Sequence, residues 1–138
     1  MKTDSPIVIT GFMAAGKTTV AEALARLTSG RMIDLDRKLC ESEGCTIRAF
    51  IEENGETLFR EAETRALRNV LEDKTVSVVA LGGGTWTIER NRALIARHCC
   101  RAVWLDAPFK LCWQRITEEE NEKSRPLASD YVQTKRLY

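Results

Sequence analysis

The stretch Gly11-Phe12-Met13-Ala14-Ala15-Gly16-Lys17-Thr18 decides how the chain folds. It reads G-x-x-x-x-G-K-[ST], the pattern of a phosphate-binding loop. The pattern carries meaning only between a strand and a helix, and both flanks qualify. Ile7-Val8-Ile9 is a short β-branched run, while Val20, Ala21, Leu24 and Leu27 fall on one helical face. Gly11 and Gly16 let the backbone turn and approach phosphate oxygens closely, so a row of N–H groups points inward. A helix beginning near Gly16 adds the positive end of its dipole. Lys17 reaches the β- and γ-phosphates as a mobile charge, and Thr18 places a hydroxyl on Mg²⁺. The chain therefore reads as a binder of a nucleoside triphosphate.

The composition around this loop fits one globular domain. There are 138 residues, suited to a single core. Lys plus Arg is 21 against 20 Asp plus Glu, and the net charge of +1 offers no electrostatic footprint for nucleic acid or a membrane surface. No apolar run approaches bilayer length. Met1 to Pro6 contain no signal-peptide core, so a cytoplasmic location is expected, with a monomer as the working state. The five cysteines, Cys40, Cys45, Cys99, Cys100 and Cys112, include no Cys-x-x-Cys pair, and His98 is the single histidine. That argues against a disulfide framework or a zinc site, and for reduced thiols acting as small apolar groups.

Strand and helix patterns alternate along the chain. Residues 6–10 read as a strand and 17–28 as a helix, with Gly30 as a stop. Met32-Ile33 is a short strand ending at Asp34-Leu35-Asp36. A helix over 36–43 ends at Gly44, Thr46 caps a short helix through Ile51, and Asn54-Gly55 marks a turn. From Glu56 to Leu71 the helical pattern is strong. Phe59, Ala62, Ala66, Leu67 and Val70 share one face, with Glu56/Arg60 and Glu61/Arg65 as i,i+4 pairs. Val76 to Leu81 is nearly all apolar, as in a parallel strand covered on both faces. Thr87 caps a helix over about 88–97. Ala102 to Leu105 is a fourth strand, and Asp106 caps a helix to about Ile116. A polar loop spans about 117–129, and a last helix begins near Asp130. The expected fold is α/β, a parallel sheet with helices on both faces in three layers. In such sheets ligands sit beyond the carboxyl ends of the strands, which gathers 11–18, 34–36, 82–84 and 106–129 at one edge.

Those segments carry the unusual residues. Asp34 and Asp36, two apart, point to the same side if strand geometry persists. One can then hold a metal's water shell while the other faces an acceptor hydroxyl; alternatively, Asp36 only caps the next helix and Asp34 is solvated. Arg60 and Glu63 share a helix face. Arg60 presents a planar fork for a carboxylate, or the two form an ordinary surface ion pair. Gly82-Gly83-Gly84 marks either a close approach to backbone or a flexible turn. Arg125, in Arg125-Pro126-Leu127, is placed either to close over a triphosphate on a mobile loop or to lie in an ordinary surface loop.

Taken together, these stretches resemble shikimate kinases, within the nucleoside-monophosphate-kinase-like group of P-loop folds. The resemblance rests on Gly11–Thr19, Asp34-Leu35-Asp36, Phe59-Arg60-Glu61-Ala62-Glu63, Leu81–Gly84 and Arg125-Pro126-Leu127, in that order, over essentially the whole chain. It implies a single P-loop kinase domain over residues 1–138, with a lid at about 117–129. It also implies ATP-dependent phosphorylation of the 3-hydroxyl of shikimate. Ala14, Ala15, Gly16, Lys17, Thr18 and Thr19 would bind ATP, with Arg115 on the adenine and Arg125 as lid arginine. Thr18 and Asp34 would hold Mg²⁺. Asp36, Arg60, Gly82, Gly83 and Gly84 would bind shikimate, with Asp36 the candidate base and Glu63 supporting Arg60. Lys17, Asp36 and Arg125 would be the catalytic set.

Family members continue past the lid with an Arg-x-x-Leu-Tyr helix, whose arginine is a second carboxylate clamp, and then a last strand and helix. Arg136 in Lys135-Arg136-Leu137-Tyr138 has the wrong spacing for that role. The expectation is a chain that stops before the second clamp, with weakened acceptor binding and an exposed sheet edge. Two other readings remain beside the leading one. One is a nucleotide-binding module with little turnover, and the other a P-loop kinase for another small hydroxylated acceptor such as gluconate.

Overall fold

The computed structural model describes residues 5–119 and 135–136. In chain order the elements are β1 (Ile7–Gly11), α1 (Lys17–Leu27), β2 (Arg31–Asp34), α2 (Leu35–Glu43), α3 (Ile47–Asn54) and α4 (Glu56–Glu72). They continue with β3 (Val76–Ala80), a 3₁₀ turn (Thr85–Thr87), α5 (Glu89–Arg97), β4 (Arg101–Leu105) and α6 (Phe109–Glu119). The strands form one parallel sheet in the order β2-β3-β1-β4. Parallel pairing forces every connection to cross over the sheet, so the helices cover both faces and the α/β expectation holds.

Strand alternation decides which layer each side chain joins. Val8 and Val79 face a core with Leu35, Leu67, Val70, Leu71 and Ile95, under α2, α4 and α5. Their neighbours Ile9, Val78 and Ala80 face the other way, onto Ala21 and Ala25 of α1. This explains why β3 has no polar face: α1 covers one side and α4 the other. Small residues on α1 let that helix lie close to the sheet. A third cluster, Phe12, Cys112 and Ile116, seats α6 on the start of the phosphate loop, with the Phe12 and Phe109 rings 6.2 Å apart. Cys112 is fully buried, and Cys45 and Cys100 pack against the larger core, so three of the thiols do act as apolar groups. Among the described residues β4 is an outer strand, where Trp104 is 54% exposed. No helix among them is long and apolar enough to cross a membrane.

Several local expectations hold. Gly44 closes α2 at φ 69°, donating its N–H to the Cys40 carbonyl, and the Thr46 hydroxyl accepts from the Ala49 N–H to start α3. Others are corrected. Thr87 does not cap α5, because the intervening 3₁₀ turn uses its hydroxyl to donate to the Gly84 carbonyl. The Pro108 carbonyl accepts from the N–H groups of Leu111 and Cys112, so α6 starts after Pro108 and Asp106 is too early to cap it. Arg65 reaches Glu43 on α2, at 4.0 Å, rather than Glu61. α6 runs through Glu119, so 117–119 belong to a helix and not to the polar loop. Of the stretch expected to form a last helix, only Lys135 and Arg136 are among the described residues; both are helical and exposed.

Candidate active site

The phosphate loop joins the carboxyl end of β1 to α1. Its shape needs the two glycines. Gly11 has φ 150°, and a Cβ there would lie 2.8 Å from the Leu105 carbonyl oxygen at the end of β4. Gly16, at φ 97°, is the N-cap of α1 and offers no side chain to its first-turn N–H groups. Those amides point into the loop as donors for an anion. Ala14 takes φ 60°, a left-handed conformation that costs an alanine about 1 kcal/mol. Lys17 is buried. Its Nζ donates to the carbonyls of Gly11 at 2.9 Å and Phe12 at 2.7 Å, so the ammonium lies along the loop's inner rim. Arg115 crosses from α6 and donates from Nη1 to the Ala14 carbonyl at 2.9 Å, which places its guanidinium over the loop. Ala15 donates back to Phe12, and Thr19 is exposed on the first turn of α1.

The two carboxylates are placed differently from the strand argument. The helix begins at Leu35, so strand geometry does not persist through Asp36. Asp34 is the N-cap of α2, its Oδ1 accepting from the Arg37 N–H at 3.1 Å. Its Oδ2 accepts from the Thr18 hydroxyl at 2.6 Å. Asp34 thus caps α2 and holds the Thr18 hydroxyl at once, while Asp36 sits in the first turn of α2. A Thr18 hydroxyl whose proton points at Asp34 turns its lone pairs outward, and an all-oxygen pair at a phosphate loop suits a hard divalent cation. One turn further along α2, burial raises the pKa of the Cys40 thiol, and the Asp36 carboxylate adds to the rise, so this thiol stays protonated.

The triple glycine is the contact strip of the site. None of its three residues has a positive φ, so the run is not there for turn geometry. It is there for space. A Cβ on Gly82 would lie 2.5 Å from Asp36 Oδ1, one on Gly83 3.2 Å from the Met13 Cβ, and one on Gly84 2.6 Å from Arg60 Nη2. Three segments far apart in sequence thus close on one bare stretch of backbone: α2, the phosphate loop and α4.

Arg60 is not a surface residue. Its side chain is 14% exposed, with Nη1 on Glu63 Oε1 at 2.9 Å, Nη2 3.7 Å from Glu56, and Cζ 5.1 Å from the Phe59 ring centroid. Glu63 is 1% exposed, and its Oε2 accepts from the Thr85 hydroxyl at 2.7 Å. The surface-ion-pair alternative is therefore excluded. Thr85 and Asn91, fully buried behind this pair, were missed from sequence. Thr85 follows directly on the glycine run and had a positional signal, whereas Asn91 on a charged helix had none. Arg125 lies outside the described residues.

The sequence profile of the family described as Shikimate kinase matches residues 13–137. A shikimate kinase from Enterococcus faecalis is 38% identical over 122 residues, covering 88% of this chain and 70% of that protein. One from Geobacter sulfurreducens is 40% identical over 121 residues, covering 88% of this chain and 64% of that protein. The chain thus spans about two thirds of the length of these relatives. Among solved structures, a shikimate kinase from Acinetobacter baumannii in complex with shikimate superimposes with a TM-score of 0.86 at 34% identity, over 99% of this chain and 73% of that one. A gluconokinase from Sinorhizobium meliloti gives a TM-score of 0.63 at 16% identity, over 99% of this chain and 74% of that one, a likeness of fold alone.

Proposed function

The chain belongs to the shikimate kinase family, and from that premise we propose that it transfers the γ-phosphoryl group of ATP to the 3-hydroxyl of shikimate, giving shikimate 3-phosphate and ADP. The observation that carries this reading is the glycine strip, against which Asp36 and Arg60 close beside the phosphate loop. A carboxylate for a hydroxyl and a guanidinium fork for a carboxylate are what a small hydroxylated acid requires. The relative solved with shikimate supports this choice of acid.

In this reading Gly16 and the first turn of α1 receive the phosphate oxygens, together with Ala14, Ala15 and Thr19. Lys17 leaves the Gly11 and Phe12 carbonyls for the β- and γ-phosphates. Arg115, now on the Ala14 carbonyl, stacks on adenine, and Arg125 covers the phosphates from the lid. Arg60 holds the acid's carboxylate, and Gly82, Gly83 and Gly84 let its ring lie against backbone. Asp36 receives the 3-hydroxyl proton as the new O–P bond forms and the β,γ-bridging bond breaks. Thr18 and Asp34 would hold Mg²⁺, which supplies charge neutralisation on the phosphates. The chain would work as a cytoplasmic monomer.

A coupled assay tests the reading. ADP release with ATP and Mg²⁺ is expected to depend on shikimate and not to respond to gluconate. Turnover with gluconate but not shikimate would reassign the acceptor, and nucleotide binding without any turnover would leave a binding module. Within the same assay, Arg60→Ala should raise the KM for shikimate about a hundredfold, since a charged hydrogen-bonded pair contributes about 1.5–3 kcal/mol, while the KM for ATP stays within about twofold. An unchanged shikimate KM would remove Arg60 from the acceptor site.

A further inference from the structure

Behind Arg60 lies a set of buried polar groups that phosphoryl transfer itself does not use. Glu63 sits on α4, Thr85 on the 3₁₀ turn and Asn91 on α5. All three are essentially without solvent, and groups so deep are tolerated only when paired. Each pairing here leads to the next. Glu63 Oε1 accepts from Arg60 and Oε2 from the Thr85 hydroxyl. Asn91 Nδ2 donates to the Thr85 carbonyl at 3.0 Å. A carbonyl can only accept, so this bond fixes which way the amide faces. Its Oδ1 then accepts from the Thr64 hydroxyl at 2.7 Å. That hydroxyl also accepts from Arg90 Nε and lies 2.9 Å from the Arg60 carbonyl oxygen. The path leaves Arg60 through its side chain and runs back to α4 at Thr64, one turn along from Arg60.

We propose that Thr85 and Asn91 are positioning residues for acceptor recognition, holding the Arg60 guanidinium through Glu63 in the pose that receives a carboxylate. The proposal rests on the reading of Arg60 given above. The geometry supports it in two ways. Phe59 and the Gly84 backbone bound the guanidinium on two sides, but Glu63 can direct it only if the Glu63 carboxylate is itself fixed. The Thr85 hydroxyl does that fixing. Thr85 is also continuous with the glycine strip, and its N–H donates to the Gly82 carbonyl at 3.3 Å. One residue therefore sets the strip and the arginine in register, and Asn91 locks that residue from behind.

The test compares Thr85→Val, Thr85→Ser and Asn91→Ala in the whole chain, with two readouts. The first needs no acceptor: the Arg60 Nε–H resonance, assigned by its loss in Arg60→Lys. It should be sharp and dispersed in the parent and in Thr85→Ser, and broadened toward the free-arginine position in Thr85→Val. The second is steady-state kinetics. The KM for shikimate should rise about tenfold in Thr85→Val and Asn91→Ala, with the KM for ATP within about twofold and Thr85→Ser near the parent. An unmoved Arg60 resonance in Thr85→Val overturns the proposal. So does a loss of kcat and thermal stability with the shikimate KM unchanged, the outcome of a merely structural role. If the resonance follows the hydroxyl but the parent binds no shikimate, the acceptor assignment fails and the ordering of Arg60 stands. Should Asn91→Ala not fold, the Thr85 pair decides the matter.

Discussion

Lys17→Ala is expected to lower kcat by about a thousandfold or more. Removing one preorganised donor from a developing oxyanion costs about 10²–10³ in rate, and Lys17 is a full positive charge in a buried position. Its present contacts add a structural component. Nζ satisfies the Gly11 and Phe12 carbonyls, so the alanine variant also releases the loop's inner rim. The stem and the ammonium separate experimentally. Lys17→Met keeps the apolar stem and so preserves the packing, but it supplies neither charge nor donor. Equal losses of kcat in the Ala and Met variants, with thermal stability reduced in Ala more than in Met, assign the rate to the ammonium and the packing to the stem. A Met variant with near-parent kcat would show that the loop's amides suffice without either the charge or the Nζ contacts to Gly11 and Phe12.

The loop was legible from sequence because its chemistry is local. Strand, glycine, lysine and helix are adjacent in the chain, and each requirement acts over a few residues. The same holds for the Thr46 cap and the Gly44 stop. The cover on both faces of β3 was legible because its run is nearly all apolar, as burial on both sides requires. The site's other half was legible only in part. That Asp34 and Asp36 lie beside the loop followed from their position at a strand end. Which of them caps α2 and meets Thr18 did not, since it depends on where α2 begins. The first helical residue is set by competition between the β2 ladder and the cap that Asp34 provides, and one residue's difference moves a carboxylate by about 100° around the helix. Arg60 and Glu63 show the opposite limit. Their spacing fits equally well an exposed pair worth little and a buried one, and burial is a property of the packed chain. The buried partners Thr85, Asn91 and Thr64 come from three elements, so no window of sequence contains them. Glycine spacing proved informative, though for another reason than expected: the strip is bare where the protein's own Asp36 and Arg60 close on it.

Asp36→Asn and Gly82→Ala are expected to produce the same kinetic defect from two different elements. The amide keeps the size of the carboxylate but cannot take a proton, so kcat should fall by about 10²–10⁴, the range for a lost general base. Gly82→Ala alters no chemical group. Its φ is not positive, so alanine is conformationally acceptable there, and the obstacle is spatial. The new Cβ would lie 2.5 Å from Asp36 Oδ1 and 3.0 Å from the Thr85 hydroxyl oxygen. The carboxylate must swing away, and a displacement of about 1 Å at a reacting group costs about a hundredfold in rate. The Asp36 carboxylate is the end of a short side chain and can move aside, whereas the Thr85 hydroxyl is buried and paired with Glu63, so the loss should appear mainly in kcat with a modest fall in thermal stability. The pair can be told from two independent injuries by combining them. If Gly82→Ala acts through Asp36, then in the Asp36→Asn background it should cost less than about threefold, because the group it displaces has already lost its function. Multiplying defects would instead place the role of Gly82 in contact with the acceptor itself, independent of Asp36.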